Sequence, residues 1–234
     1  MSPIESNLQH VRARMDAAIA VLPVAMRRPV TLVAVSKARS ADEVRVAFDA
    51  GQREFGENYL QEAVPKLGAL ADLRARGIVW HFIGPLQSNK LKAIANHFDW
   101  VHGIDRIKIA HALSRHRAAL PHTLNNLNVC VQVNASGEAG KGGVTPEDAA
   151  ALAAEVAVLP HLRLRGFMTI IEDTPNEEKQ RAQFHKMRTL HESMQQGGSD
   201  VDTLSMGMSQ DFMTAIAEGA TIVRIGSAIF GARA

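Results

Sequence analysis

One lysine in this sequence stands where an amine could act as a nucleophile. Lys37 directly follows the apolar run Val30-Thr-Leu-Val-Ala-Val-Ser36, which is typical of a buried strand. Partial burial beside apolar groups disfavours the ammonium form, so we expect an amine that can form an imine with a carbonyl compound. A lysine at a strand end can equally be an ordinary side chain whose charged end reaches solvent. Position alone does not assign this chemistry.

A segment near the C-terminus has the residue types of a phosphate site. In Ser205-Met-Gly-Met-Ser209, Gly207 allows the backbone to turn closely, and we expect Ser209 to cap a following helix. Backbone N–H groups at a helix N-terminus bind phosphate. The predicted apolar face of that helix consists of Phe212, Ala215, Ile216 and Gly219.

A second such segment is Arg224-Ile-Gly-Ser227. Gly226 allows close approach of the backbone, and Ser227 supplies a hydroxyl group. The permanent charge of Arg224 lies among apolar residues and needs an acceptor. Two interpretations stay open: an internal salt bridge, or donation to the nitrogen of a pyridine ring, which would keep that nitrogen unprotonated. Together the two segments favour a phosphorylated ligand, although Gly-Ser turns are often only turns.

The histidines indicate no metal centre. His111, His116 and His122 follow one polar helix and its exit, and none has acid or cysteine partners at metal-ligand spacing. We interpret them as a solvated face. His81 either faces a barrel interior or is a hydrogen-bonded core histidine.

The elements that must position these residues alternate along the chain. Short apolar runs rich in β-branched residues are separated by amphipathic segments with helical spacing. Alternating strands and helices imply parallel strands, and eight such units close a barrel. We therefore predict a single (β/α)8 barrel, in preference to an open doubly wound sheet, with strands at 30–36, 53–56, 78–83, 99–103, 127–133, 162–168, 202–205 and 221–225.

Several helix starts are marked in the sequence. We predict an additional N-terminal helix over about 5–22. Ser40-Ala-Asp-Glu43 and Thr174-Pro-Asn-Glu177 fit the capping box, and Thr145 precedes Pro146 at the first position of another helix. These signals fall between the predicted strands, as the barrel requires.

A barrel of this type builds its active site from the C-terminal ends of the strands. The unusual residues follow those ends, and the fold would gather them at one mouth. They are Lys37, Glu57, Asn58, Gly84, Pro85, Asn134, Met168, the segment 205–209 and the segment 224–227.

The composition limits the classes of protein. The chain has 234 residues, a formal charge of +2 and no block of like charges, so we expect no nucleic-acid partner. No apolar stretch approaches the roughly 20 residues of a membrane span, and no secretion signal is visible. The single cysteine, Cys130, predicts a buried thiol and no disulfide. We expect one cytoplasmic domain over 1–234.

The motifs described above resemble those of a known family, the pyridoxal phosphate homeostasis proteins. The resemblance extends over nearly the whole chain, in order and at matching spacing. It is carried by Val35-Ser-Lys37, Phe55-Gly-Glu-Asn-Tyr59, His81-Phe-Ile-Gly-Pro-Leu-Gln-Ser-Asn-Lys90, Leu204-Ser-Met-Gly-Met-Ser209 and Val223-Arg-Ile-Gly-Ser-Ala-Ile-Phe-Gly231.

The resemblance implies a barrel like the N-terminal domain of alanine racemase, with pyridoxal 5′-phosphate (PLP) bound covalently to Lys37. It implies that Arg224 meets the pyridine nitrogen and that Asn58 lies beside the ring. The phosphate would be held by the loop Ser205, Gly207, Met208 and Ser209 together with Gly226 and Ser227. The loops Gly140-Lys-Gly-Gly143 and Thr169-Ile-Ile-Glu172 differ from those usual in the family.

The implied function is to hold and regulate PLP, with no catalytic residue assigned. PLP-dependent apoenzymes are the expected recipients, and we expect a monomer. A racemase of this fold needs a second base on the opposite face of the substrate, which alanine racemases take from a tyrosine of an added domain. Tyr59 is the only tyrosine here. The alternatives are a slow PLP-dependent amino-acid racemase and a phosphosugar enzyme in which Lys37 binds an aldehyde substrate.

Overall fold

The β-strands were located in a computed structural model, which describes residues 1–120 and 125–232. Each contains a short run of buried residues bounded by polar or glycine-containing segments, as expected for strands covered on both faces. The strands are β1 Thr31–Val35, β2 Glu54–Glu57, β3 Val79–Phe82, β4 Trp100–Ile104, β5 Leu127–Val133, β6 Leu162–Thr169, β7 Thr203–Ser205 and β8 Ile222–Ile225.

These strands form a closed barrel in sequence order. Every neighbouring pair is parallel, and β8 pairs with β1 to close the ring, with Val33 opposite Arg224. The register shifts once between β4 and β5 and once between β5 and β6. The predicted barrel and its eight strands are therefore confirmed, with each predicted boundary within one residue of the observed one.

Helices surround the barrel. They are α1 Pro3–Ala20, α2 Ala41–Asp49, α3 Leu60–Ala69, α4 Leu91–His97, α5 Ile107–Ala118, α6 Pro146–Ala157, α7 Glu177–Gln196, α8 Phe212–Ala217 and α9 Ser227–Phe230. No helix in the described part of the chain is long and apolar enough to cross a bilayer.

The N-terminal helix α1 completes the outer ring. The helix after β8, α9, has only four residues. Helix α1 packs against α8, α9 and α2 and buries Leu8, Val11 and Met15. Asn7 Nδ2 donates to Ile229 O at 2.9 Å, which fixes the helix to the end of the barrel. The predicted extra helix thus takes the place of an eighth outer helix.

The helix starts agree with the sequence at two of the three predicted caps. Ser40 forms a capping box with Glu43, and Thr145 caps the helix that begins at Pro146. The capping box predicted at Thr174 is wrong. Asn176 caps α7 by accepting from the Lys179 N–H, because an asparagine directly before Glu177 competes for the same role.

Candidate functional site

A cleft of about 440 Å³ opens at the C-terminal rim of the barrel. The walls come from the loops after strands β1, β2, β3, β5, β6, β7 and β8, which lie far apart in sequence. Seven of the nine predicted binding residues line it: Lys37, Asn58, Met208, Ser209, Arg224, Gly226 and Ser227. Ser205 and Gly207 do not line it and lie beneath or behind its wall.

Lys37 lies two residues beyond the end of β1 and is half-buried. The next residue, Ala38, has a left-handed backbone with φ 57°, which costs a non-glycine residue about 1 kcal/mol or more. Glu62 Oε2 accepts from the Ala38 N–H at 3.1 Å and so helps to hold this conformation. The strained turn fixes the direction in which the Lys37 side chain leaves the strand.

A buried ion pair lies directly under this turn. Lys66 Nζ, on α3, is 2.7 Å from Glu57 Oε1 and 2.7 Å from the carbonyl oxygen of Ser36. Ser36 Oγ also donates to Glu57 Oε1 at 2.7 Å. Burial raises the pKa of Glu57, although Lys66 opposes this effect. The three residues, which we call the Lys66 clamp, fasten the residues that precede Lys37 and Asn58. The sequence indicated Glu57 but not Lys66.

Asn58 is placed by a close contact between two loops. A Cβ atom at Gly84 would lie 2.1 Å from the carbonyl oxygen of Asn58, so only glycine fits where the loop after β3 crosses the loop after β2. The Asn58 side chain is on the cleft wall, and within residues 1–120 and 125–232 its buried Oδ1 has no hydrogen-bond partner. A buried acceptor without a partner is costly, and a donor on a ligand in the cleft would satisfy it.

Arg224 reaches the floor of the cleft from β8 and is 4% exposed. Its Nη1 donates to Ser205 Oγ at 2.7 Å, and its Nη2 donates to the carbonyl oxygen of Thr169 at 2.8 Å. Burial lowers the pKa of Arg224 to about 10, and the charge of Asp211 opposes this shift. No ion pair joins Arg224 to a carboxylate within the described ranges. The salt-bridge interpretation is therefore not supported, and the guanidinium is held by neutral groups.

The structure confirms the predicted turn in segment 205–209 but not the predicted start of the helix that follows it. Gly207 has φ 96°, and a Cβ there would lie 2.7 Å from the Cβ of Ala215, so the predicted need for glycine is met. The prediction that Ser209 caps the next helix is wrong. Helix α8 begins only at Phe212, because the Asp211 carboxylate accepts from the Met208 N–H at 2.5 Å and closes a turn first.

Two hydroxyl groups meet on the cleft wall. Ser227 Oγ donates to Ser209 Oγ at 3.2 Å, which joins the loops that follow the neighbouring strands β7 and β8. Gly226 passes close to β1, since a Cβ there would lie 3.1 Å from the carbonyl oxygen of Val35. Both hydroxyls line the cleft. They form a polar wall of the kind that barrel enzymes use for a phosphate group.

The two loops that differ from the family pattern meet at the open side of the cleft. Lys141 Nζ donates to the carbonyl oxygen of Ile171 at 2.9 Å and forms an ion pair with Glu138. Lys141 lines the cleft, as does Arg39. The sequence did not indicate either cation as a site residue. Lys141 could have been suspected from the sequence, because it is the one lysine in the glycine-rich loop 140–143.

The remaining singled-out residues lie away from the cleft. His111 is exposed and His116 half-buried on α5, while His122 lies outside the described residues. No cluster of metal-ligating side chains occurs within the described residues. Cys130 is buried, as predicted, and burial raises the pKa of its thiol to about 12. His81 is 1% exposed and hydrogen-bonded at both ring nitrogens.

Comparison with known proteins identifies the family. The sequence model of the alanine racemase N-terminal domain matches residues 4–234. A pyridoxal phosphate homeostasis protein of Pseudomonas aeruginosa is 54% identical, with 100% of this chain and 97% of the relative covered. One from Vibrio cholerae is 47% identical over 100% of this chain and 98% of the relative.

A solved structure supports the same assignment. PipY of Synechococcus elongatus, determined with PLP bound, is 35% identical to this chain and superposes with a TM-score of 0.81. The match covers 97% of this chain and 100% of PipY. The chain belongs to the pyridoxal phosphate homeostasis protein family, and its barrel is that of the alanine racemase N-terminal domain.

Proposed function

We propose that this protein binds PLP in the cleft at the rim of the barrel and serves intracellular PLP homeostasis. One observation carries the proposal: the Lys37 amine, the Arg224 guanidinium and the Ser209 and Ser227 hydroxyls line a single cleft. An amine, a ring-nitrogen partner and a phosphate wall are the three groups that PLP requires. The relatives named for PLP homeostasis and the PLP-bound PipY structure support the same conclusion.

The residues of the cleft fit the cofactor. Asn58 Oδ1 has no hydrogen-bond partner among the residues that the structure describes. Four cations on the walls suit a phosphorylated ligand: Lys37, Arg39, Lys141 and Arg224. We assign Arg224 to the pyridine nitrogen and Ser209, Ser227, Gly226 and Met208 to the phosphate end. Ser205 and Gly207 act from behind the wall, where Ser205 positions Arg224 and Gly207 shapes the turn.

The finer part of the proposal is a covalent link through Lys37. The neutral amine nitrogen attacks the aldehyde carbon of PLP, a C=N bond forms and one water is released. When bound, PLP supplies an electron-withdrawing ring. Arg224 keeps its own protons, because a guanidinium in a protein stays protonated near neutral pH even where burial lowers its pKa. It therefore donates to the ring nitrogen without protonating it, which weakens carbanion stabilisation.

This arrangement favours storage and delivery over catalysis. The only tyrosine, Tyr59, is 48% exposed and is absent from the cleft wall, so it offers no second base for racemisation. We propose transfer of PLP to apoenzymes as the outcome of binding, by a chain acting as a monomer. Rapid chiral conversion of L-amino acids by the PLP-loaded protein would contradict this proposal.

The covalent link is tested by borohydride reduction of the PLP-loaded protein followed by peptide mass mapping. We expect a pyridoxyl adduct on Lys37 that is absent from Lys37→Ala. Lys141→Ala is the matched control, because it removes another lysine of the same cleft and should retain the adduct. An adduct on Lys141 alone would overturn the assignment. A protein that takes up no PLP would favour the phosphosugar alternative.

A further inference from the structure

A chain of hydrogen bonds leads from the cleft into the barrel interior. It begins at Arg224, which lines the cleft and whose Nη1 is 2.7 Å from Ser205 Oγ. Ser205 Oγ is 2.8 Å from His102 Nδ1, and His102 Nε2 is 2.9 Å from His81 Nδ1. His81 Nε2 is 2.7 Å from Glu54 Oε2. Five side chains on β8, β7, β4, β3 and β2 are thus joined in one line.

The chain crosses the barrel from one end to the other. His102 on β4 and Ser205 on β7 are on strands that are not neighbours in the sheet, so their bond passes through the interior. Arg224 lines the cleft at the C-terminal rim, whereas Glu54 and His81 line a second cavity of about 640 Å³ at the other end. Glu54 is the member that reaches solvent, with its side chain 29% exposed.

The two ends of the chain limit the directions that its hydrogen bonds can take. Arg224 can only donate, and the Glu54 carboxylate can only accept. His81 therefore donates from Nε2 to Glu54. Burial keeps the pKa of His102 well below its usual value, so the His102 ring is neutral and carries one proton, either on Nε2 facing His81 or on Nδ1 facing Ser205. With the proton on Nε2, His102 donates to His81 Nδ1, and its own Nδ1 accepts the hydroxyl proton of Ser205.

The opposite direction is disfavoured at Ser205. If His102 donated from Nδ1, Ser205 Oγ would accept from both His102 and Arg224. The described residues offer Ser205 no further hydrogen-bond acceptor, so its own hydroxyl hydrogen would be buried without a partner. A buried donor without an acceptor is unfavourable, because it has lost its hydrogen bond to water. A single direction, from Arg224 to Glu54, satisfies all five groups.

We propose that Glu54, His81 and His102 are positioning residues for Arg224, and that this directed chain holds its guanidinium at the ring nitrogen of the cofactor. The proposal rests on the proposed function, because it needs PLP in the cleft to have an effect. Its consequence is that the far end of the barrel influences the spectrum and affinity of the cofactor. None of the three residues touches the cleft itself.

The chain is tested first without PLP, by 15N NMR of the histidine rings in the apoprotein. We expect both His81 and His102 to be neutral with the proton on Nε2. A His102 ring that is protonated on Nδ1 or is doubly protonated overturns the directed chain. Because no cofactor is present, this result does not depend on the proposed function.

The effect on the cofactor is tested with His102→Leu and His102→Gln. Loss of the acceptor for Ser205 in His102→Leu should weaken PLP binding by up to about tenfold, the effect of losing one hydrogen bond. It should also shift the absorption maximum of bound PLP. His102→Gln retains one acceptor and one donor and should recover most of both properties. Glu54→Gln should shift the absorption maximum in the same direction as His102→Leu, but less.

The matched control is His191→Leu, which removes another histidine that is 1% exposed but is outside the chain. It should leave PLP affinity and absorption unchanged. Equal effects of His102→Leu and His191→Leu would indicate a general packing loss and would overturn the proposal. The proposal would also be overturned if His102→Leu had the wild-type absorption spectrum of bound PLP and an affinity for PLP within twofold of wild type. If the wild-type protein bound no PLP, the proposed function would fail while the NMR result still decided the chain.

Discussion

Lys66 Nζ lies 2.7 Å from Glu57 Oε1, and the two side chains are only 6% and 0% exposed. A buried pair of this kind gives little net stability, because both charges lose their hydration. Its role is positional. Lys66 also binds the carbonyl oxygen of Ser36, so the clamp fixes the two loops that carry Lys37 and Asn58.

Lys66→Met should destabilise the protein by about 3–5 kcal/mol, because it leaves the Glu57 carboxylate buried without its partner. Urea unfolding measures this change. Lys92→Met is the control, since Lys92 is exposed on α4, and it should change the free energy of unfolding by less than about 0.5 kcal/mol. The double variant Lys66→Met, Glu57→Gln should recover most of the loss. A double variant as unstable as Lys66→Met would contradict the role of the charge.

Gly207→Ala should destabilise the protein by more than about 1 kcal/mol, because alanine is strained at a left-handed φ. The new methyl group would also meet Ala215 and Phe212 and displace the turn that carries Ser209. Gly68→Ala is the matched control: Gly68 is exposed in α3, and nothing lies within 4 Å of an added Cβ. Its stability should be unchanged or raised by up to about 1 kcal/mol. Equal thermal stability of the two variants would argue against strain at Gly207.

The barrel could be predicted from the sequence because its strands are parallel and covered on both faces. Segments such as 30–36 and 127–133 therefore read as continuous apolar runs. The first residue of a helix was harder to predict where two capping residues compete, as Thr174 and Asn176 do before α7. Before α7 the asparagine nearer the helix took over the capping role, whereas after Ser209 the turn closed by Asp211 comes before α8, which has no side-chain cap.

The polar interior could not be predicted in the same way. The bond between His102 and Ser205 joins strands that are separated by two others in the sheet. Its existence depends on the register of every intervening strand, including the two register shifts beside β5. A single sequence shows only that a histidine lies within an apolar strand, which is also typical of an ordinary core histidine.

His191→Gln should reduce the loss of stability on acidification. Burial first, and the charge of Arg28 second, lower the pKa of His191, while Asp202 and Glu192 oppose the shift. The unfolded chain binds a proton at this histidine below about pH 6.5, and the folded chain resists it. Stability from this group is therefore present above that pH and is lost as the pH falls.

The measurement is the free energy of unfolding in urea at pH 7.5 and pH 5.5, values chosen on either side of about 6.5. The difference between the two pH values should be smaller in His191→Gln than in wild type. His111→Gln is the control, because His111 is exposed on α5 and should leave the difference unchanged. A His191→Gln protein with the full wild-type pH dependence would show that other groups cause it.

Ser209→Ala should weaken the binding of PLP more than that of pyridoxal, which lacks the phosphate group. Loss of one hydrogen bond to a charged oxygen costs about 1.5–3 kcal/mol, so the ratio of the two affinities should fall at least about tenfold. Ser227→Ala should act similarly. Because the two hydroxyls bond each other at 3.2 Å, the double variant should lose less binding free energy than the sum of the losses in the two single variants.

The control is Ser6→Ala, at an exposed position of α1, which should leave the ratio of the two affinities unchanged. An equal loss of affinity for PLP and pyridoxal would mean that the two serines do not contact the phosphate, and would move the phosphate site toward Arg39 and Lys141 on the same cleft.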